Sequence, residues 1–547
     1  MGLLDPDASG VITGLCLFLA GHFMLRFSVR GSELRGDARV RGPLEWSVTA
    51  LMVGAAILPA LVIALTWLFG PLSVLAGRLL VFAPAVLGLA LLLWPGLLGS
   101  APTPGRLGSG DVVYRFRGEA PKSALELAGF ALLGVATLAI LFAAFSSPVH
   151  AFDPVFHFAY KGKILFTEGF SAEAWSDLTG PVGRVMTHPT YPPGVPALEV
   201  LASYPLGEFS ATAGRGLMAL FVLAPAAWLF AAMRSVTFRS GASGRVAGLL
   251  AALLWVTLPI LFYIRLPHAA GGFDAVWGLV FGPGDSAGVV GSPWRATDGP
   301  SLDGGGDLPL AGFVFGALLH LWRLLPGTRG EGDRADIFVA GALLGAAVLA
   351  KNEGLALFAV LVIAVGLVVC ARRIAGLSSS IWRELAPLGL ASAFAILMIS
   401  PWFVIKAGIP TIDESYFDLV QPAHLVSAVF TERPNGELSI TIVSREFLKT
   451  FLDPLHWNMI WVLFAGYLLH SLRRPVQLLG SDAVLPLLFV VGGLLAFFLI
   501  LAVTPWPLGQ LFTTGIPDRL FLQLAPTAIF ATVLIAWPKG REGGGGE

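Results

Sequence analysis

The chain has 547 residues, 35 basic and 35 acidic side chains, a formal net charge of zero and a mean hydropathy of +0.78. Charged residues make up 13% of it, against about 25% in a soluble domain, too few to cover a water-facing surface. Lipid must therefore be the solvent for most of the molecule, and the fold class is an all-α polytopic membrane protein. A neutral balance supplies no basic field for nucleic acid. Cys16 and Cys370 both lie in apolar runs and offer neither a disulfide framework nor metal-ligand spacing.

In chain order, Asp5 and Asp7 precede the first apolar run, and Arg26, Arg30, Arg35, Arg39 and Arg41 follow it. A secretory signal has the opposite polarity, so this run reads as a retained span with its N-terminus outside. Crossing the hydrocarbon as a helix takes roughly 20 apolar residues. Spans are predicted near 11–27, 46–69, 72–98, 125–147, 214–233, 246–266, 309–325, 336–350, 355–371, 385–405, 456–472, 484–503 and 517–537, about thirteen in all. Alternation from an outside N-terminus places about 22 of the 35 Lys and Arg residues in short inside connections, as the positive-inside bias requires. The C-terminus is then cytoplasmic, and the Gly-rich end at 538–547 reads as a disordered tail. Three outside segments are long: 148–213, 267–308 and 406–455. Segments of that length are functional or disordered. No internal repeat is visible, which weighs against a secondary transporter.

In the first long segment Asp153, His157 and Lys161 recur every fourth residue, with Val155, Phe156, Phe158 and Ala159 between them. That spacing predicts an amphipathic helix at the membrane surface. Asp153 before Pro154 is a good N-cap, and capping alone would explain it. The sharper reading is a carboxylate base at the bilayer edge. His157 and Lys161 read either as site residues or as an ordinary i,i+4 pair on a wet face. The run His188-Pro189-Thr190-Tyr191-Pro192-Pro193 is stiff and extended, and holds His188 and Tyr191 either against a site or in a surface loop. His268 and Asp274 lie near one end of the second long segment and Asp307 at the other, where a helix cap before Pro309 is the plain alternative. Lys351-Asn352-Glu353-Gly354 interrupts an apolar stretch whose halves are shorter than the hydrocarbon is thick. Charges at that depth are candidate site residues, with Lys351–Glu353 pairing as the simpler account. Arg519 opens the last span; its planar fork suits phosphate oxygens, and snorkelling is the alternative. Arg78, inside the third span, has no explanation from sequence.

Taken in order, these motifs resemble the GT-C superfamily of integral-membrane glycosyltransferases, in particular bacterial relatives of the protein O-mannosyltransferases and the lipid A aminoarabinose transferase. The resemblance is carried by Asp153, Tyr160-Lys161-Gly162-Lys163-Ile164-Leu165, His188-Pro189-Thr190-Tyr191-Pro192, Asp307-Leu308-Pro309-Leu310-Ala311, Lys351-Asn352-Glu353-Gly354 and Arg519-Leu520-Phe521-Leu522-Gln523-Leu524-Ala525-Pro526. It covers about 125–537, a GT-C-like catalytic module, and leaves 1–124 as about three additional helices. Tyr160 stands where the family pattern has Trp, and the segment 267–308 is longer and richer in glycine than the pattern.

The resemblance implies an inverting transferase that moves a sugar from a polyprenyl-phosphate donor to an acceptor hydroxyl of a glycan, lipid or protein. It implies a multi-pass protein of a bacterial inner membrane, with the site facing the periplasm or exterior. Asp153 would be the general base. Lys351, Arg519 and Lys161 would hold the donor phosphate, with His157, His188, Tyr191, Asp307, Glu353 and His268 nearby. A displaced phosphate leaves as an anion and needs no acid, so one carboxylate suffices. No cofactor is required, and a divalent metal is left open. Two other readings stand beside this one: a transporter or flippase for a lipid-linked or polar solute, and a scaffold subunit without chemistry.

Overall fold

The computed structural model describes residues 5–33, 43–93, 123–146, 157–170, 189–237, 243–262, 305–325, 334–376, 380–409 and most of 427–536. The helices in chain order are α1 (Pro6–Glu33), α2 (Pro43–Phe69), α3 (Val74–Leu93), α4 (Ala124–Ser146), α5 (Tyr160–Thr167), α6 (Gly194–Ser203), α7 (Ala211–Thr237), α8 (Ser243–Val256), α9 (Pro259–Phe262), α10 (Asp307–Leu324), α11 (Arg334–Ala350), α12 (Glu353–Ile374), α13 (Ile381–Gly408), α14 (Ser439–Leu452), α15 (Ile460–Leu472), α16 (Pro475–Leu479), α17 (Val484–Val503) and α18 (Ile516–Ala536). Among the described residues the only β pairing is one isolated bridge, between Glu432 and Leu438.

Ten of these helices are long and apolar enough to cross a membrane, so the chain is a multi-pass helical membrane protein. The other three predicted spans are helices too, but α8, α11 and α15 have 14, 17 and 13 residues. At 1.5 Å per residue they fall short of a hydrocarbon core about 30 Å thick. The hairpin around Lys351 is also lopsided, not short on both sides. Its second arm, α12, has 22 residues and reaches across. The depth argued for Lys351 from two short arms therefore fails, and its burial comes from packing instead.

Every residue of α10 but the last is buried, whereas α3 and α4 turn most of their apolar surface outward, toward lipid. α10 is the axis of the bundle, packed against α11, α18 and α7. The N-terminal helices join this body: α1 packs on α2, α3 and α7, and α2 packs on α6 and α11. Contact between α1 and α2 is close enough to require glycine. A Cβ at Gly54 would collide with the Leu17 carbonyl, the small-residue approach by which helices associate where lipid gives no hydrophobic drive. Replacing Gly54 by Leu is expected to separate these helices and lower the melting temperature of the detergent-solubilised protein.

Arg78 finds its explanation here. Its Nε donates to the Tyr204 carbonyl at 3.1 Å and one Nη to the Pro205 carbonyl at 3.0 Å, stapling α3 to the end of α6. The positive fork satisfies carbonyls that the end of α6 leaves open. Truncation to Ala removes both charge-assisted bonds and is expected to cost about 1.5–3 kcal/mol of stability, read by thermal unfolding in detergent.

A second set of buried charges joins helix ends far from Asp307. Arg323 contacts Glu45 Oε1 at 2.8 Å, His320 Nδ1 lies 2.5 Å from Asp336 Oδ1, and Arg245 lies 3.5 Å from Glu126. These pairs tie the end of α10 to α2 and α11, and α8 to α4.

Candidate functional site

Asp307 is the first residue of α10, yet it does not cap it; the N-cap position is Gly306, and no side chain caps that end. The carboxylate instead collects three donors from two other helix ends. Lys351, in the turn between α11 and α12, donates to Oδ1 at 2.8 Å. Gln523, on α18, donates to the same oxygen at 2.7 Å. Arg519, one turn earlier on α18, donates through Nε to Oδ2 at 2.8 Å. Glu353 Oε1 lies 3.0 Å from the Lys351 ammonium, so the simple pairing of those two is present within a larger cluster. Two cations and two carboxylates balance, and both Asp307 oxygens are occupied by donors. In this arrangement Asp307 is an anchor for cations, not a base.

The backbone reasons are local. Pro309 tolerates the first turn of α10, where its missing N–H is an orphan in any case. Arg519 and Gln523 are four apart on α18 and share a face. The start of α18 is fixed by Phe521, whose ring packs on Trp461 (4.8 Å), Phe447 (5.3 Å) and Trp457 (6.3 Å). Phe447 belongs to α14, so the long segment 406–455 helps to hold Arg519 in place.

Next to this cluster is the first predicted surface helix. Its described part runs from a π turn at 157–159 into α5. The expected wet face is absent: His157 and Lys161 are both buried. Lys161 donates to the Tyr191 carbonyl at 3.4 Å and sits 5.7 Å from the Tyr191 ring, which stacks on His157 at 5.8 Å. The Pro-rich segment thus presses Tyr191 against α5. Burial, and then the charge of Lys406, hold the Lys161 ammonium well below the usual lysine range. Behind α5, Glu199 of α6 lies close to Gly162. Burial pushes its carboxyl well above the usual range.

The sequence alone places Lys406 only at the start of the outside segment 406–455. It is half-buried in the last turn of α13, with Nζ 3.5 Å from Asn352 Oδ1 and 5.8 Å from the Trp402 ring. Gln523 and Lys406 are the two site neighbours that sequence reasoning passed over. The four-residue spacing from Arg519 was the available signal for Gln523, and a lysine closing an apolar helix was the signal for Lys406.

Asp153, His188 and His268 lie outside the described residues. Among the described residues no three His, Cys, Asp or Glu side chains gather in a metal-holding group. A small cavity between α2, α6, α10 and α11, beside Ala350, is lined only by apolar residues such as Phe313, Leu198 and Leu349, and offers nothing to a sugar hydroxyl.

No family model matches the chain, and no curated protein or solved structure matches it.

Proposed function

We propose that the chain is a glycosyltransferase that uses a polyprenyl-phosphate sugar and transfers the sugar, with inversion, to an acceptor hydroxyl at the Asp307 end of the bundle. The observation that carries this reading is the meeting of Asp307, Lys351, Glu353, Arg519 and Gln523 in one buried cluster. These residues come from three separate motifs of the sequence resemblance, and Lys161 and Tyr191, from two more, lie close by. Buried charge at a helix end in a membrane protein is costly and marks a functional site by default.

In this reading Asp153 accepts the proton of the acceptor hydroxyl, and the hydroxyl oxygen bonds to the anomeric carbon as the bond from that carbon to the phosphate oxygen breaks. The phosphate departs as an anion on the prenyl chain, close to the cations of the cluster. Lys351 has one N–H beyond those directed at Asp307 and Glu353, and Arg519 is oriented by Asp307. The non-cytoplasmic face is the side that the charge alternation gives to Asp307, Lys351 and Arg519.

The test is release of polyprenyl phosphate from a panel of polyprenyl-phosphate sugars by the purified chain in lipid vesicles. Release from at least one donor, dependent on an added acceptor, is the expected result. A chain that releases none from the whole panel is not this enzyme.

A transporter or flippase is the second reading, and one observation favours it: α10 carries buried charge at both ends, Asp307 at one and His320 and Arg323 at the other. Between them the helix is apolar, from Leu308 to Leu319, about 17 Å at 1.5 Å per residue, with no polar stepping stone. Solute movement in proteoliposomes that persists in Asp153→Asn would favour this second reading.

A further inference from the structure

The charge balance of the Asp307 cluster leaves a question for any anionic ligand. Lys351 and Arg519 already face Asp307, and Lys351 also faces Glu353. Removing them from their carboxylates to grip a phosphate would leave buried negative charge beside the incoming anion, an unfavourable exchange. A cation without a carboxylate partner is the better candidate, and Lys406 is one. Among the described residues it has no ion pair, and its polar contact is to a neutral amide, Asn352.

Its position is built, not incidental. The Trp402 ring beneath the ammonium is fully buried and stacked on Phe170 at 6.0 Å, so the platform is rigid. Asn352 adjoins Lys351, which places Lys406 on the rim of the cluster. A half-buried cation whose polar contact is a neutral amide is stabilised by an anion brought to its open side.

We propose that Lys406 binds a phosphate ester beside the Asp307 cluster. That the phosphate is the head of a prenyl lipid rests on the donor reading above; the anion chemistry itself does not. The plain alternative is a lysine that complements the carbonyl end of α13. That role would act on stability and not on ligand binding.

The experiment is a 31P NMR titration of the purified full chain in detergent, with farnesyl phosphate as probe and inorganic phosphate in a parallel arm. Wild type is expected to bind farnesyl phosphate. Lys406→Gln is expected to weaken binding about tenfold or more, the scale of one charge-assisted contact, and Lys406→Arg to stay near wild type. Thermal unfolding is run on each variant. Loss of affinity in Lys406→Gln at an unchanged melting temperature supports the site. If Lys406→Gln melts lower and binds as wild type does, Lys406 belongs to the helix terminus and the site is overturned. Farnesyl phosphate binding that ignores Lys406 overturns this inference and leaves the donor reading standing. No binding of farnesyl phosphate by wild type overturns the donor reading. Inorganic phosphate binding as tightly, through Lys406, supports the anion site and assigns it to a soluble phosphate.

Discussion

Asp307→Ala is expected to be the most damaging single substitution in the described part of the chain. It leaves Arg519 without the carboxylate at 2.8 Å, Lys351 with Glu353 alone, and Gln523 without its acceptor. Removing one partner of a buried ion pair costs about 3–5 kcal/mol because the other charge stays buried, and here one carboxylate serves two cations. The protein should accumulate poorly in membranes, and what is purified should melt well below wild type. Asp307→Asn keeps the volume but not the charge and should fare nearly as badly, whereas Asp307→Glu should be milder. A second change separates charge from packing: adding Lys351→Met to Asp307→Asn removes one of the two cations that Asp307 serves and should recover part of the loss. Melting temperatures in detergent, arranged as a double-mutant cycle, read the coupling directly. An Asp307→Ala protein as stable as wild type would mean that the cluster is not what holds α10, α18 and the α11–α12 turn together.

The second large effect is on chemistry alone. Asp153→Asn preserves shape and capping ability, since Asn is as good an N-cap as Asp, but it cannot take a proton. If Asp153 is the base, kcat should fall about 10²–10⁴-fold while the melting temperature and prenyl-phosphate affinity hold. A helix-capping role predicts near-normal transfer from the same variant. This contrast differs from the Asp307 case, in which folding and transfer fall together.

Much of the architecture was legible because its causes are local. Twenty-residue apolar runs and clustered arginines are properties of short windows, and all thirteen predicted segments are helices in the fold. Ten are also long enough to cross; α8 and α15 are shorter than the predicted runs, whereas α11 contains all of 336–350 and ends at the Lys351 turn. The juxtaposition of Asp307 with Arg519, 212 positions away, was legible only as a shared end: helix alternation places both, with Lys351, on one side. Their contact was not, since helix neighbours cannot be read from one sequence. The polarity of α5 misled for a related reason. The spacing of His157 and Lys161 on one face is real, but a face that looks wet in isolation is covered by Tyr191 from another segment. Arg78 was opaque for the same cause, because its partners are backbone carbonyls of Tyr204 and Pro205, which leave no trace in residue type.

The proposed lipid phosphate lies at the Asp307 end of this bundle. A structure of the chain with a bound polyprenyl phosphate measures that placement most directly. Phosphorus density beside Lys351, Lys406 and Arg519, with the prenyl chain running off into lipid, is the predicted result. Density at the opposite end, near His320 and Arg323, would contradict it.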